Sequence, residues 1–261
     1  MASQSLLVTI PHSGEKIPDF CTWLQGLPEE ILMCDVDRFV DLLYVPTLQD
    51  FKIPFVQSDW HRYVGDLNRL PTDVDASTVE NHPTPRGPHT RGFHWSITTY
   101  EHPLMSRPLT VEMHEKLVEL IYQPFHQKIK ETCLQFPQGP IYHLDVHSMP
   151  SIGTAQHRDP GELRADIVIS DQLGKSSHSF FRDLVISSYV VAGFKVGYNW
   201  PYLGGRMTET YGRPQLGHHT LQVELNRALY MDEKTKKLKP DYHLVQNKIR
   251  ESLSSIVKGL A

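Results

Sequence analysis

Side chains able to do chemistry concentrate at three places far apart along the chain. Pro11-His12-Ser13-Gly14 closes an apolar run, Leu6 to Ile10. Ile141-Tyr142-His143-Leu144-Asp145-Val146-His147-Ser148-Met149 begins apolar and ends in an Asp-x-His-Ser turn, bounded by Gly139-Pro140 and Pro150. Leu221-Gln222-Val223-Glu224-Leu225-Asn226-Arg227 sets a carboxylate inside another apolar run. Asp145 and His147 are two residues apart, so on a strand they share a face. There the carboxylate could orient the imidazole or share a metal with it. A buried Asp–His bond without a catalytic role explains the pair alone equally well. Val223 and Leu225 face away from Glu224 while Gln222 shares its side. A carboxylate on a core strand is costly unless something needs it; a structural ion pair with Arg227 or Arg206 is the plain alternative.

Two imidazoles, His12 and His147, plus one carboxylate and an open fourth position would make a hydrolytic zinc site. Two residues could supply the carboxylate. Glu15 gives His12-x-x-Glu15, and Asp37 sits near the start of the next helix. The cation would bring the pKa of a bound water to about 7, and Glu224 would take its proton as general base. A second cluster, Ser58-Asp59-Trp60-His61-Arg62 with Asp66-Leu67-Asn68-Arg69, holds two arginines and an asparagine. The guanidinium fork suits a carboxylate, so Arg62 and Arg69 suit a substrate carrying two. A surface ion-pair group with Asp59 and Asp66 accounts for the same residues. A third stretch, Asn199 to Thr208, contains Gly204-Gly205-Arg206. Paired glycines let a backbone approach a ligand closely, or simply make a turn.

The elements that must position these residues alternate between strand and helix. Buried strands are expected at Leu6–Ile10, 53–57, 141–144, 165–170, 194–198 and 220–225. Helices are expected at 35–48, ending at Pro46, at 109–136 with a kink at Pro124, at 177–191 closed by Gly193, and from Asp241 onward. The pattern predicts one α/β domain over 1–261, its central sheet mostly parallel and flanked by helices. In such a sheet ligands sit beyond the carboxyl ends of the strands, where His12, Asp145, His147 and Glu224 fall. Residues 70–108 are rich in Pro, His, Thr and Gly and are expected to form a long loop or lid. His114, His126 and His178 are expected to pack or face solvent. His218 and His219 precede the last strand. Tyr198, Tyr202 and Tyr211 are expected wall residues, one of them a donor to a tetrahedral oxyanion.

The totals restrict the partners. A net charge of -4, without a long block of either sign, implies neither nucleic acid nor an anionic membrane. Cys21, Cys34 and Cys133 show no CxxC spacing, and Met1–Ser5 carry no basic region before a five-residue apolar run. A reducing, cytoplasmic setting without a disulfide framework is therefore expected. The oligomeric state is not legible.

Five stretches occur in one order: Pro11-His12-Ser13-Gly14, Asp66-Leu67-Asn68-Arg69, Asp145 to Pro150, Asn199 to Thr208, and Gln222 to Met231. Together they resemble the N-formylglutamate amidohydrolase family, over about residues 6–233. The resemblance implies a zinc-peptidase-like α/β fold related to carboxypeptidases and aspartoacylase. It also implies hydrolysis of N-formyl-L-glutamate to formate and L-glutamate in histidine degradation. It puts His12 and His147 on a divalent metal, zinc first with cobalt or manganese as alternatives. Asp145 would back the metal site, and Glu224 would move the proton. Arg62, Asn68 and Arg69, with Gly205 and Arg206, would hold a small acidic N-acyl amino acid. An acid is regular in the family at the position of Asp37 and not at that of Glu15, so the resemblance favours Asp37 as third ligand. Residues 73–95, with His82, His89 and His94, do not align with it, and there the substrate would differ. The alternatives are a deacylase or peptidase on a larger amide, such as a peptide or cell-wall fragment, or a non-catalytic binding protein on the same scaffold.

Overall fold

Short runs of β-branched and leucine residues form the strands. The computed structural model describes residues 5–83, 85 and 90–261; Met1–Gln4, Thr84 and 86–89, and with them His89, lie outside the described residues. Six strands, β1 (Leu6–Ile10), β2 (Phe55–Gln57), β3 (Ile141–Met149), β4 (Ile167–Ser170), β5 (Val196–Tyr198) and β6 (His218–Asn226), form one sheet in the order β2-β1-β3-β6-β4-β5. Every pairing is parallel except β4 with β6. The expected α/β architecture with a mostly parallel sheet in a single domain is the observed one. A small hairpin, β7 (Met231–Asp232) with β8 (Lys237–Leu238), follows β6.

The helices are α1 (Glu29–Leu32, one turn), α2 (Val40–Asp50), α3 (Val111–Leu117), α4 (Gln123–Leu134), α5 (Ser179–Val191), α6 (Arg206–Tyr211) and α7 (Tyr242–Gly259). On one face of the sheet, Leu6, Val8 and Ile10, Leu144 and Val146, and Leu221, Val223 and Leu225 join side chains of α2, α5 and α7 in one core. Each such side chain contributes about 1.5–3 kcal/mol on burial. On the other face, Leu7 joins Leu117, Ile121, Phe125 and Ile129 from the α3–α4 region and Met207 and Tyr211 from α6.

Several boundaries differ from the sequence expectation. Asp145 and His147 lie inside β3, which runs on to Met149 against the full length of β6. The helix expected at 35–48 begins at Val40, because Phe39 has φ 69° and the Asp37 N–H bonds to the His12 carbonyl at 2.9 Å. Pro46 does not end it. The residue cannot donate to the carbonyl of Leu42, and Gln246 of α7 donates to that carbonyl instead at 2.8 Å. The helix expected at 109–136 widens just before Pro124. A π-turn at Val118–Tyr122 separates α3 from α4, with Pro124 in the first turn of α4. The Asn199–Thr208 stretch runs into α6, which begins just after the paired glycines.

The described part of residues 70–108 contains neither helix nor strand. It is held nonetheless by a small core of Val74, Val79 and Phe93 and by bridges such as Val79 with Leu109. Cys21, Cys34 and Cys133 are free thiols. No helix of the described residues is long and apolar enough to cross a membrane.

Candidate active site

The sheet register brings the polar side chains together. Thr9 of β1 lies opposite Asp145 of β3; Asp145 pairs with Gln222 of β6 and His147 with Glu224. These residues share the face opposite the apolar core, so the polar group collects where β1, β3 and β6 end. His12 lies two residues past β1, and the Asp37 loop is bonded to its carbonyl.

Three atoms converge there. His147 Nδ1 is 3.2 Å from His12 Nδ1 and 3.1 Å from Asp37 Oδ2, and His12 Nδ1 is 3.5 Å from that oxygen. All three residues are buried, and among the described residues they are the group able to hold a metal ion. Behind them, His12 Nε2 lies 2.7 Å from Asp66 Oδ1 and His147 Nε2 lies 2.6 Å from Asp145 Oδ2. A carboxylate only accepts, so each Nε2 is the donor and each neutral ring turns an Nδ1 lone pair inward. Two lone pairs and a carboxylate oxygen converging on one point repel unless a cation lies between them. Tetrahedral ligands at about 2.0–2.2 Å from zinc are themselves about 3.3–3.5 Å apart. The donor set therefore fits a divalent ion, with the carboxylate–histidine support common behind such ligands.

Without a cation, the same carboxylates draw a proton onto His147 instead. Burial opposes ionisation of Asp37, yet hydrogen bonds from His12 and His147 and their charge hold it well below the ordinary range. Its other oxygen accepts from Arg227 and Ser148 Oγ, both at 3.1 Å. Burial likewise opposes ionisation of Asp66, but His12, Arg62 and Arg69 keep its pKa low. Burial disfavours a charged His147, and Asp145, Asp37 and Glu224 outweigh it to push its pKa up. Burial drives Glu224 the other way for a carboxylate, up to about 7, against the pull of His147. Gln222 Nε2 donates to Glu224 Oε1 at 2.8 Å.

His12, Asp37, His147, Gln222 and Glu224 line one cavity of about 280 Å³, with Arg62, Asn68, Arg69, Gly205 and Tyr202 in its wall. Asn68 donates toward Gln222 Oε1 at 3.5 Å, and its own oxygen accepts from the Met207 N–H at 2.7 Å. A Cβ on Gly205 would come 2.4 Å from Asn68 Nδ2, so glycine is what lets Asn68 seat. Tyr202 Oη accepts from Arg164 at 2.9 Å, which leaves its own proton free.

Other expected residues lie elsewhere. Glu15 is at the surface and pairs with Arg38 at 2.8 Å. Arg206 does not line the cavity; Asp73, at 2.9 Å, and Glu209 hold its guanidinium. Neither Arg206 nor Arg227 pairs with Glu224, because Arg227 is committed to Asp37. His114 and His126 are buried packing residues, and His126 Nδ1 meets Tyr211 Oη at 2.8 Å. His178 is exposed, and His218 and His219 lie outside the cavity wall. Tyr198 bonds to Asp171 at 2.9 Å.

The family model for N-formylglutamate amidohydrolase matches residues 4–231. The chain belongs to this family. The N-formylglutamate deformylase of Pseudomonas aeruginosa is 26% identical over 234 residues, covering 87% of this chain and 82% of that one. The deformylase of Pseudomonas putida is 27% identical over the same shares. A crystal structure of N-formylglutamate amidohydrolase from Ralstonia eutropha JMP134 covers 99% of this chain and 94% of its own, with a TM-score of 0.87 at 28% identity. A gene product of Agrobacterium tumefaciens shares the fold, with a TM-score of 0.69 at 18% identity.

The motifs assign no role to several residues at and behind the site. Asp66 stands in the Asp-Leu-Asn-Arg run, yet only the fold shows it behind His12. Arg227 closes the Glu224 motif, where a pair with Glu224 was the natural guess. Asp35, Arg91, Trp95 and Thr99 reach the wall from irregular segments with no periodicity to place them.

Proposed function

We propose that the protein hydrolyses N-formyl-L-glutamate to formate and L-glutamate at a divalent metal held by His12, Asp37 and His147. The observation that carries the reading is this convergence of three ligand atoms beside Glu224, in a small cavity rich in arginine. Zinc is proposed first, from the two-imidazole, one-carboxylate set, with cobalt or manganese as alternatives. The proposed setting is histidine degradation in the cytoplasm, with the chain 1–261 acting as one domain and residues 70–108 as its lid.

When bound, the cation would polarise the formyl carbonyl and lower the pKa of water to about 7. The chain's own residues do the rest. Asp66 and Asp145 fix the imidazoles so that each Nδ1 faces the site. Thr9 Oγ1 donates to Asp145 Oδ1 at 2.7 Å, which extends that support one layer further. Glu224 takes the proton of the attacking water and returns it to the departing amide nitrogen. Burial raises the pKa of this carboxyl in the metal-free protein, which suits it to hold the proton between the two transfers. Tyr202, its hydroxyl proton free, donates to the developing oxyanion. Arg62, Asn68 and Arg69 hold the substrate, and Gly205 keeps Asn68 in place. Glu15 and Arg206, paired elsewhere, take no part. The cavity volume sits at the small end for ligand sites, which favours an acyl amino acid over a peptide or cell-wall fragment.

Formate release from a panel of N-formyl and N-acetyl amino acids tests the reading. N-formyl-L-glutamate should be turned over fastest. A faster reaction on N-acetyl compounds or on formyl peptides would replace this function with a broader deacylase.

A further inference from the structure

The cavity wall contains four arginines, Arg62, Arg69, Arg91 and Arg227. Two are already neutralised. Arg62 pairs with Asp66 at 2.8 Å and donates to the Asp35 carbonyl at 2.7 Å. Arg227 pairs with Asp37. The other two have only neutral acceptors among the described residues. Arg69 donates to the Asn68 carbonyl at 2.8 Å and through Nε to the Arg91 carbonyl at 3.3 Å. Arg91 donates to Gln156 Oε1 at 3.2 Å. Gln156 is itself fixed, because its amide nitrogen donates to Glu101 at 2.5 Å.

We propose that Arg91, together with Arg69, forms the subsite for the side-chain carboxylate of the substrate and thereby sets the preference for glutamate over neutral analogues. The proposal rests on the hydrolytic reading above and names the residue that gives it specificity. Arg69 and Arg91 are both half-buried in the wall of the same cavity, and the Arg69 guanidinium bonds to the Arg91 backbone. Burial, above all, and the adjacent Arg69 charge pull the Arg91 pKa down against the attraction of Asp35. Among the described residues neither guanidinium is hydrogen-bonded to a carboxylate, an arrangement that an incoming carboxylate would complete. Neither arginine is bonded to His12, Asp37 or His147, so the pair is available to the part of the substrate away from the reacting amide. Three separate segments build the subsite: the Asn68–Arg69 loop, the irregular stretch carrying Arg91, and the loop carrying Gln156. Such convergence is more than a surface arginine needs.

The test compares wild type with Arg91→Gln on N-formyl-L-glutamate and N-formyl-L-glutamine, alongside calorimetric binding of L-glutamate and L-glutamine to the metal-loaded proteins. Loss of a charge-assisted carboxylate contact should cost about 10- to 100-fold on the glutamate ligands, mainly in KM, and less than about threefold on the glutamine ligands. Equal losses on both, or an undiminished preference for glutamate, would overturn the proposal. The two readings fail separately. A wild type that cleaves neither formyl compound but binds L-glutamate through Arg91 defeats the hydrolysis and keeps the subsite. A wild type that cleaves N-formyl-L-glutamate while Arg91→Gln retains the selectivity keeps the hydrolysis and defeats the subsite. A wild type that neither cleaves nor binds the glutamate ligands defeats both. Should Arg91→Gln not fold, Arg91→Lys keeps the charge and removes the fork; a smaller but still glutamate-selective loss is expected, and an unselective one overturns the proposal.

Discussion

Along β6, Leu221, Val223 and Leu225 enter the apolar layer beneath α2, α5 and α7, while Gln222 and Glu224, one position over, face the cavity. On β3, Leu144 and Val146 take the first course and Asp145 and His147 the second. The same two strands therefore serve two demands through a period of two. One face gains stability by excluding water. The other accepts the cost of buried carboxylates and imidazoles because they compensate one another and converge as a set able to hold a cation. The rigidity of the first face is what holds the second to hydrogen-bond precision.

Neighbouring residues on one strand should consequently fail in different ways, and the contrast is largest at Glu224. Glu224→Gln is expected to lower kcat by about 10²- to 10⁴-fold with metal content and KM little changed. Leu225→Ala, one residue on, should cost about 2–5 kcal/mol of stability and leave turnover per folded molecule nearly intact. Denaturation curves and steady-state kinetics on both variants check this. A Glu224→Gln protein that melts early yet turns over normally would erase the distinction between the faces.

A second comparison sets the two candidate carboxylates against each other. Asp37→Asn should weaken metal binding beyond the roughly 10- to 100-fold typical of an outer partner. Glu15→Gln removes a surface pair with Arg38 worth about 1 kcal/mol or less and should leave affinity unchanged. Competition with a chelator of known affinity measures both, and a reversed order would restore the His12-x-x-Glu15 pattern.

One layer out, Asp145→Asn should cost about 10- to 100-fold in metal affinity, and Thr9→Val less, because the threonine acts only through Asp145. Thr9 Oγ1 also lies 2.9 Å from His143 Nε2. Since the hydroxyl proton goes to Asp145, His143 must donate to it, which extends the chain of support across two strands.

The same desolvation of Glu224 implies a pH dependence of the metal-free protein. Burial raises the Glu224 pKa in the folded state from its ordinary 4.5 to about 7. A carboxyl whose pKa rises on folding contributes stability that is present below the unfolded value and is lost as pH climbs through the folded one. Wild type without metal should therefore lose thermal stability relative to Glu224→Gln between about pH 4.5 and 7. Parallel melting curves with the pH separation reversed or absent would show that Glu224 is not held in a desolvated setting.

Much of this arrangement was legible because periodicity and chain order carry it. Alternation placed Asp145 with His147 and Gln222 with Glu224, and the strand–helix succession gave the α/β sheet. What stayed hidden depends on contacts between distant segments. Pro46 reads as a helix end until Gln246 is seen to satisfy the Leu42 carbonyl. Asp66 reads as part of a surface ion-pair group until His12 Nε2 is found against it. Arg206 reads as a ligand contact because it follows Gly205, but Asp73 and Glu209 draw its side chain away. Arg91 sits in an irregular stretch where no period assigns a face.

The most direct test of the account is the metal content of the purified protein, wild type beside His147→Ala. The account predicts one divalent ion per chain in wild type, and its loss in the variant with the cooperative melting transition preserved. A His147→Ala protein with full metal occupancy would contradict the site on which every other assignment depends.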